Sequence, residues 1–116
     1  MTAEPPAATL RSSLLTRVSG DAALASAMAS LFIDECPRLL ADVRVAWAAQ
    51  DAAALARAAH SLKGSVSNFA APGATQAAAH LESLGLAGEL SPAGDALQRL
   101  EAELGRLLPA LRELIA

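Results

Sequence analysis

The sequence predicts an all-α protein, an antiparallel up-down four-helix bundle with an additional short N-terminal helix. Hydrophobic residues make up 53% of the 116 residues but aromatic residues only 3%, so alanine and leucine supply most of the apolar content. Both residues favour helix, and the chain lacks the alternating pattern typical of strands. Short connections between long amphipathic segments indicate that successive helices run antiparallel.

Capping and turn residues mark the first two helices. Thr9 is the expected cap of the short first helix, which ends at Gly20-Asp21. A long second helix follows, and we expect Pro37 to kink or break it near residues 34–36, because proline removes a backbone donor. The pair Gln50-Asp51 ends this segment, with Asp51 as the candidate cap of the next helix.

The remaining three helices are delimited by proline and glycine. The third is expected from Ala52 to about Ala70, and the fourth from a cap at Thr75 to about Leu84. A turn over residues 85–88 and the pair Ser91-Pro92 then precede the last helix. Within this last helix, the residues expected to cause bending or fraying are Gly94, Gly105 and Pro109.

The chain divides into a lead-in or linker over residues 1–8, expected to be disordered, and one domain over residues 9–116. A net charge of −3 and a pI near 5.2, without a basic patch, argue against nucleic acid as a partner. No apolar run reaches the roughly 18 residues that a membrane helix needs, so we expect no membrane partner. The single cysteine, Cys36, fits a reducing compartment, and we expect a cytoplasmic location.

The third helix carries polar residues on the face opposite its apolar stripe. With Leu55 at zero and about 100° per residue, Leu62 and Val66 fall within about 20° of it, on the core side. His60 lies at about 140° and Gly64 at about 180°. The face turned away from the core therefore carries His60, Lys63, Gly64 and Ser67.

Gly64 lies one turn after His60, although glycine within a helix costs about 1 kcal/mol relative to alanine. One interpretation is that a side chain at this position would obstruct a molecule approaching His60. The others are that the glycine is simply tolerated, or that it allows two helices to approach. An exposed neutral imidazole is nucleophilic near pH 7, and Lys63 can supply a positive charge to a phosphoryl group on it.

The segment Ala58-Ala59-His60-Ser61-Leu62-Lys63-Gly64-Ser65 strongly resembles the His-x-x-Lys-Gly signature of histidine-containing phosphotransfer (HPt) domains, as found in hybrid sensor kinases and phosphorelays. Residues 31–40 are similar to the second-helix segment of such modules, and residues 51–55 and 66–71 flank the signature as they do in the family. The resemblance covers about residues 10–114.

This resemblance implies that His60 accepts and donates a phosphoryl group, exchanged with the aspartate of a response-regulator receiver domain. It implies Lys63 as charge partner, Gly64 as the residue that leaves access, and Glu82 on the next helix as the group that orients the imidazole. Some relatives carry glutamine at the position of Glu82. The alternative is that Glu82 is a solvated surface charge with no role at His60.

The resemblance also implies a receiver docking patch, in which Ala53, Ala56 and Ser67 surround His60 and Gly64. The other partner implied is a sensor or hybrid histidine kinase. We expect a monomer without a cofactor of its own, since the magnesium ion belongs to the receiver partner.

The residues also bear on three other functions. An autokinase needs an ATP-binding domain, for which the chain has neither room nor a Gly-rich loop, so we expect a phosphoryl carrier rather than an enzyme. A metal site in a bundle commonly uses Glu-x-x-His pairs, which neither His60 nor His80 provides. An adaptor that binds partners without phosphotransfer remains the third alternative, against which the intact His60, Lys63 and Gly64 argue.

Overall fold

A computed structural model of the chain describes residues 7–115, which form five helices and no strand. The predicted four main helices and shorter first helix are confirmed. In chain order the helices are α1 (Ala7–Arg17), α2 (Ala22–Ala48), α3 (Ala52–Val66), α4 (Pro72–Ala87) and α5 (Ala93–Ile115).

Helix α3 lies between α2 and α4, and α5 closes the bundle by packing against α2 and α4. Helix α1 packs on α5 and α2, and within residues 7–115 no Cα atom of α3 lies within 8 Å of a Cα atom of α5. The buried side chains on α3 include Leu55, Leu62 and Val66, so the core stripe predicted from the helical wheel is confirmed. The face of α3 opposite α5 is therefore the one left open to solvent.

Two aspartates cap the N-terminal ends of α2 and α3. The side chain of Asp21 accepts a hydrogen bond from the Leu24 backbone N–H at 3.0 Å, and Asp51 accepts one from Ala54 at 3.0 Å. The cap predicted at Asp51 is thus confirmed. Helix α2 continues through Pro37, so the alternative of a break there is wrong. Packing of a 27-residue helix against three neighbours outweighs the loss of one backbone hydrogen bond.

Several predicted helix ends differ from the observed ones. Helix α1 begins at Ala7, two residues before the expected cap at Thr9, while the rest of the predicted lead-in, residues 1–6, lies outside the described residues. Helix α3 ends at Val66 rather than near Ala70. Because caps and turns are short signals, packing against neighbouring helices decides where a helix ends.

Helix α4 extends beyond the predicted span at both ends. It begins with Pro72, a favoured first residue because the amide hydrogen that proline lacks would have no partner there. Thr75 instead lies in the first turn, where its hydroxyl donates to the Ala71 carbonyl at 2.9 Å. Helix α5 likewise continues past Gly105 and Pro109. No helix within residues 7–115 combines the length and the apolar character needed to cross a membrane.

Gly85 marks the closest approach between α3 and α4. A Cβ atom added to it would lie 2.7 Å from the Ala56 nitrogen and 2.9 Å from the Ala52 carbonyl oxygen. These are backbone atoms, which cannot move aside without separating the helices. The residue was predicted to lie in a turn, but it lies inside α4, and it lets the two helices meet backbone to backbone.

The N-terminal end of α4 packs against a buried carboxylate from α5. Glu103 is buried and forms an ion pair with Arg106 at 2.6 Å. A Cβ atom added to Gly73 would meet this carboxylate, so the end of the Glu103 side chain would have to shift to accept a larger residue there. Negative charge near a helix N-terminus is also favourable for the helix dipole. The contact fixes α4, the helix that carries Glu82.

Candidate functional site

His60 lies on the open face of α3. Its side chain is 67% exposed, as the helical wheel predicted. Gly64, one turn later, is also exposed, and a Cβ atom built on it would meet no atom within 4 Å. Gly64 therefore makes no close helix contact, which disfavours the packing interpretation of this glycine. The imidazole stands beside open space.

Glu82 on α4 joins two residues of α3. One carboxylate oxygen, Oε2, lies 2.7 Å from Nδ1 of His60, and the other, Oε1, accepts from Nζ of Lys63 at 2.5 Å. The Glu82 side chain is only 16% exposed, whereas that of Lys63 is 33% exposed. The alternative that Glu82 is a solvated charge is therefore inconsistent with its surroundings. A single carboxylate holds both the histidine and the lysine.

The charge state of Glu82 determines which imidazole nitrogen carries the proton. The hydrogen bond from Lys63 lowers the pKa of Glu82 below its ordinary value, and the hydrogen bond from His60 adds to this, against the opposing effect of burial. Glu82 is then ionised near neutral pH and can only accept hydrogen bonds. Nδ1 of His60 must be the donor, which leaves Nε2 with its lone pair in the neutral ring.

Lys63 was expected to supply a positive charge to a phosphoryl group on His60, and in the structure it reaches across to α4. Its ammonium nitrogen pairs with Glu82. The positive charge of Lys63 therefore already has a carboxylate partner before any phosphoryl group arrives.

The residues expected to form the docking patch are not equally accessible. Ala53 and Ser67 are exposed, and the Ser67 hydroxyl donates to the Gly64 carbonyl at 2.9 Å. Ala56, however, is buried where α3 meets Gly85 of α4, so it offers little surface to a partner. Ala56 still lines the shallow groove that runs past His60, so its part in the docking patch stays a prediction. The helical wheel does not reveal how closely α4 packs against it.

Two residues beside His60 were not among the predicted site residues. A shallow groove of about 380 Å³ runs past the histidine, and its lining includes Arg57 and Leu86 together with Ser61 and Glu82. Arg57 lies three residues before His60, a spacing that places two side chains on the same side of a helix. The three-residue spacing between Arg57 and His60 could therefore have identified Arg57 from the sequence. Leu86 is exposed at the end of α4 and reaches the site only through the packing of α4 on α3.

The other chemically distinctive groups lie elsewhere or are unreactive. Cys36 is buried in the core, and burial raises the pKa of its thiol, which disfavours the reactive thiolate. In residues 7–115 no three His, Cys, Asp or Glu side chains are grouped so that they could hold a metal ion.

Fold and site together define a class of protein: a small helical bundle that displays one oriented histidine to solvent. The family model described as Hpt domain matches residues 27–110, and the chain belongs to the Hpt domain family. Hpt domains are phosphocarrier modules of two-component signalling rather than enzymes, and they interact with receiver domains and kinases in phosphorelays. No curated protein and no solved structure matches the chain.

Proposed function

We propose that the chain carries a phosphoryl group on Nε2 of His60, accepting it from the aspartyl phosphate of one receiver domain and donating it to the aspartate of another. The observation that supports this most directly is the hydrogen bond between Nδ1 of His60 and the Glu82 carboxylate. It assigns the proton to Nδ1 and leaves Nε2 unprotonated on an exposed ring.

In the accepting step, the Nε2 lone pair of His60 attacks the phosphorus of the aspartyl phosphate. The new N–P bond forms as the P–O bond breaks, and the electron pair of that bond leaves with the receiver's carboxylate. No proton has to leave the imidazole, because Nδ1 keeps its own. The ring becomes positively charged, and the Glu82 carboxylate at 2.7 Å compensates that charge. The donating step is the reverse reaction.

The neighbouring residues take supporting parts in this proposal. Lys63 holds Glu82 in place through their ion pair, and so acts on His60 through the carboxylate. Gly64 leaves room for the receiver, since the space beside it is open. The receiver contacts Ala53, Gly64 and Ser67 on α3, together with the exposed Leu86 on α4. The magnesium ion needed for aspartyl chemistry belongs to the receiver, and the chain itself uses no cofactor.

We further propose that the chain works as a cytoplasmic monomer. Its exposed large hydrophobic residues are spread over several helices and do not form one apolar face for a second copy. The partner that presents the phosphoryl group is then a receiver domain that a kinase has charged. Sedimentation analysis tests the oligomeric state, with a mass close to 11.8 kDa expected.

Replacing each histidine in turn tests the phosphoryl site. Phosphoramidate, a small donor that phosphorylates histidine directly, is incubated with the wild type, His60→Gln and His80→Gln. His80 is the matched control, because it is the second histidine of the chain and is also exposed. We expect a ³¹P phosphohistidine signal from the wild type and His80→Gln, and none from His60→Gln. A signal from His60→Gln would show that another residue carries the group.

The same three proteins are then mixed with a receiver domain charged by radiolabelled acetyl phosphate. Transfer of label to the wild type and to His80→Gln, but not to His60→Gln, is the expected result. A wild type that binds the charged receiver without taking up label would instead identify an adaptor.

A further inference from the structure

Arg57 is a cation beside His60 with no carboxylate partner among residues 7–115. It is exposed on α3, and it forms no ion pair with any residue in the range 7–115. The two arginines of α2 differ in this respect, because Arg38 pairs with Glu35 and Asp42, and Arg44 pairs with Glu101. Arg57 is therefore available to an incoming negative charge.

The charges already at the site do not provide for a phosphoryl group. Lys63 and Glu82 offset each other in their ion pair, and the imidazole that attacks phosphorus brings no charge, because Nε2 needs its lone pair to react. A phosphoryl group brings roughly two negative charges near neutral pH. Arg57 is the only other lysine or arginine on α3 and α4, the two helices that form the site. Apart from Lys63, Arg57 is therefore the one lysine or arginine that these two helices can offer to the phosphoryl oxygens.

The geometry of α3 places Arg57 on the correct side of the histidine. Residues three apart on a helix are neighbours on its surface, with Cβ atoms about 5–6 Å apart. Helical side chains lean toward the N-terminal end, so the His60 ring lies over the turn that contains Arg57. Both side chains line the same groove, together with Ser61 and Leu86. Lys63 approaches from the opposite side, where Glu82 holds it.

We propose that the guanidinium of Arg57 pairs with the phosphoryl oxygens of the group carried on His60, which makes Arg57 a second cation of the phosphotransfer site. This proposal rests on the proposed phosphorylation of His60. A guanidinium is suited to the role, because its planar set of N–H donors can bind two phosphoryl oxygens at once.

A ³¹P titration of the phosphorylated protein tests the contact without any receiver. Wild type, Arg57→Ala, Arg57→Lys and Arg99→Ala are charged with phosphoramidate, and the second ionisation of the phosphoryl group is followed with pH. Arg99→Ala is the matched control, since Arg99 is an exposed arginine on α5, the main helix that is not a direct neighbour of α3. All four proteins should show the same helical circular dichroism, because both positions are exposed.

A nearby cation favours the dianion and lowers the pKa of the phosphoryl group. We expect wild type and Arg99→Ala to titrate together, and Arg57→Ala to titrate at least about 0.5 unit higher. Arg57→Lys should fall between them, because lysine keeps the charge but not the planar fork. Phosphorylation of Arg57→Ala by phosphoramidate should also be slower, by roughly three- to tenfold.

The outcomes separate this inference from the proposed function. If the wild type gives no phosphohistidine signal, the function assigned to His60 fails, and the role of Arg57 fails with it. If the wild type is phosphorylated but Arg57→Ala titrates like Arg99→Ala, only the Arg57 contact is wrong. An unchanged titration combined with slower transfer from a receiver would also overturn it, since Arg57 would then act in docking.

Discussion

At the residue scale, the central feature is that a single carboxylate defines the chemistry of the histidine. Glu82 accepts from Nδ1 of His60 and from Nζ of Lys63, one with each oxygen. The lysine keeps the carboxylate ionised, and the ionised carboxylate keeps the proton of the ring on Nδ1. Lys63 thus controls the imidazole indirectly, although the two residues lie on the same helix.

The open space beside His60 leads to a prediction for Gly64→Gln. Gly105→Gln is the matched control, because both glycines are exposed within helices and have no atom within 4 Å of an added Cβ. Glutamine is the better helix former, so both variants should be as stable as the wild type or up to about 1 kcal/mol more stable. Only Gly64→Gln should slow transfer from a charged receiver, by roughly tenfold or more.

Thermal unfolding and a quenched-flow transfer assay measure the two effects. Transfer at the wild-type rate in a folded Gly64→Gln protein would refute the role of Gly64 in access. Equal slowing in both variants would point instead to a general effect of the added side chain.

At the element scale, the site is a product of the contact between α3 and α4. Gly85 lets the backbones of the two helices meet at Ala52 and Ala56, and this contact lies one turn beyond Glu82 on α4. The distance between the helices at this point therefore controls whether the Glu82 carboxylate reaches the ring of His60. A lateral movement of about 1 Å is enough to lose a hydrogen bond of 2.7 Å.

Gly85→Ala tests this dependence. A methyl group at 2.7 Å from the Ala56 nitrogen forces the helices apart, and overpacking of this kind costs about 1–3 kcal/mol. Gly64→Ala serves as the control, because the same added methyl group meets open space there and should be neutral or stabilising. Urea unfolding measures the stability of both variants.

Separation of α3 and α4 should also release the histidine. The ¹⁵N chemical shifts of the His60 ring report the tautomer, and we expect the Nδ1–H form to lose its dominance in Gly85→Ala but not in Gly64→Ala. Wild-type stability together with an unchanged tautomer in Gly85→Ala would show that the helices do not depend on this glycine.

At the scale of the whole molecule, the same ion pair ties two of the four main helices together. Glu82 is on α4 and Lys63 on α3, so their interaction contributes to the free energy of unfolding as well as to the site. The pKa of the Glu82 carboxyl is lower in the folded protein than in the unfolded chain, where a glutamate has a pKa of about 4.3. The contribution is therefore complete above about pH 4.3 and is lost as the pH falls through the lower folded value.

Glu82→Gln should accordingly be less stable than the wild type near neutral pH, by about 0.5–1 kcal/mol, the range for partly exposed ion pairs. The difference should shrink below about pH 4.3 as the wild-type carboxylate takes up a proton. Glu89→Gln is the control, since Glu89 is an exposed glutamate in the connection between α4 and α5. Urea unfolding at several pH values measures the difference, and a constant gap down to low pH would contradict this assignment.

The helical content and the open face of α3 were predictable because both depend on local periodicity. The stripe of Leu55, Leu62 and Val66 is repeated at the helical spacing, so it identifies the core side, and His60 then falls on the solvent side. The helix ends were predicted less well. Ala7 rather than Thr9 begins α1, because a single capping residue is weaker than the packing of a whole helix.

The sequence by itself determined the number and order of the helices, which face of α3 is open, and that His60 and Gly64 share that face. Only the tertiary structure decided that Lys63 is held by Glu82, that Ala56 is buried, and that Leu86 borders the histidine. The physical reason is that the spacing of side chains along one helix is set by the geometry of that helix. Contacts between side chains of α3 and side chains of α4 depend instead on how closely the two helices pack. That closeness is set by a glycine whose role is visible only where the two backbones meet.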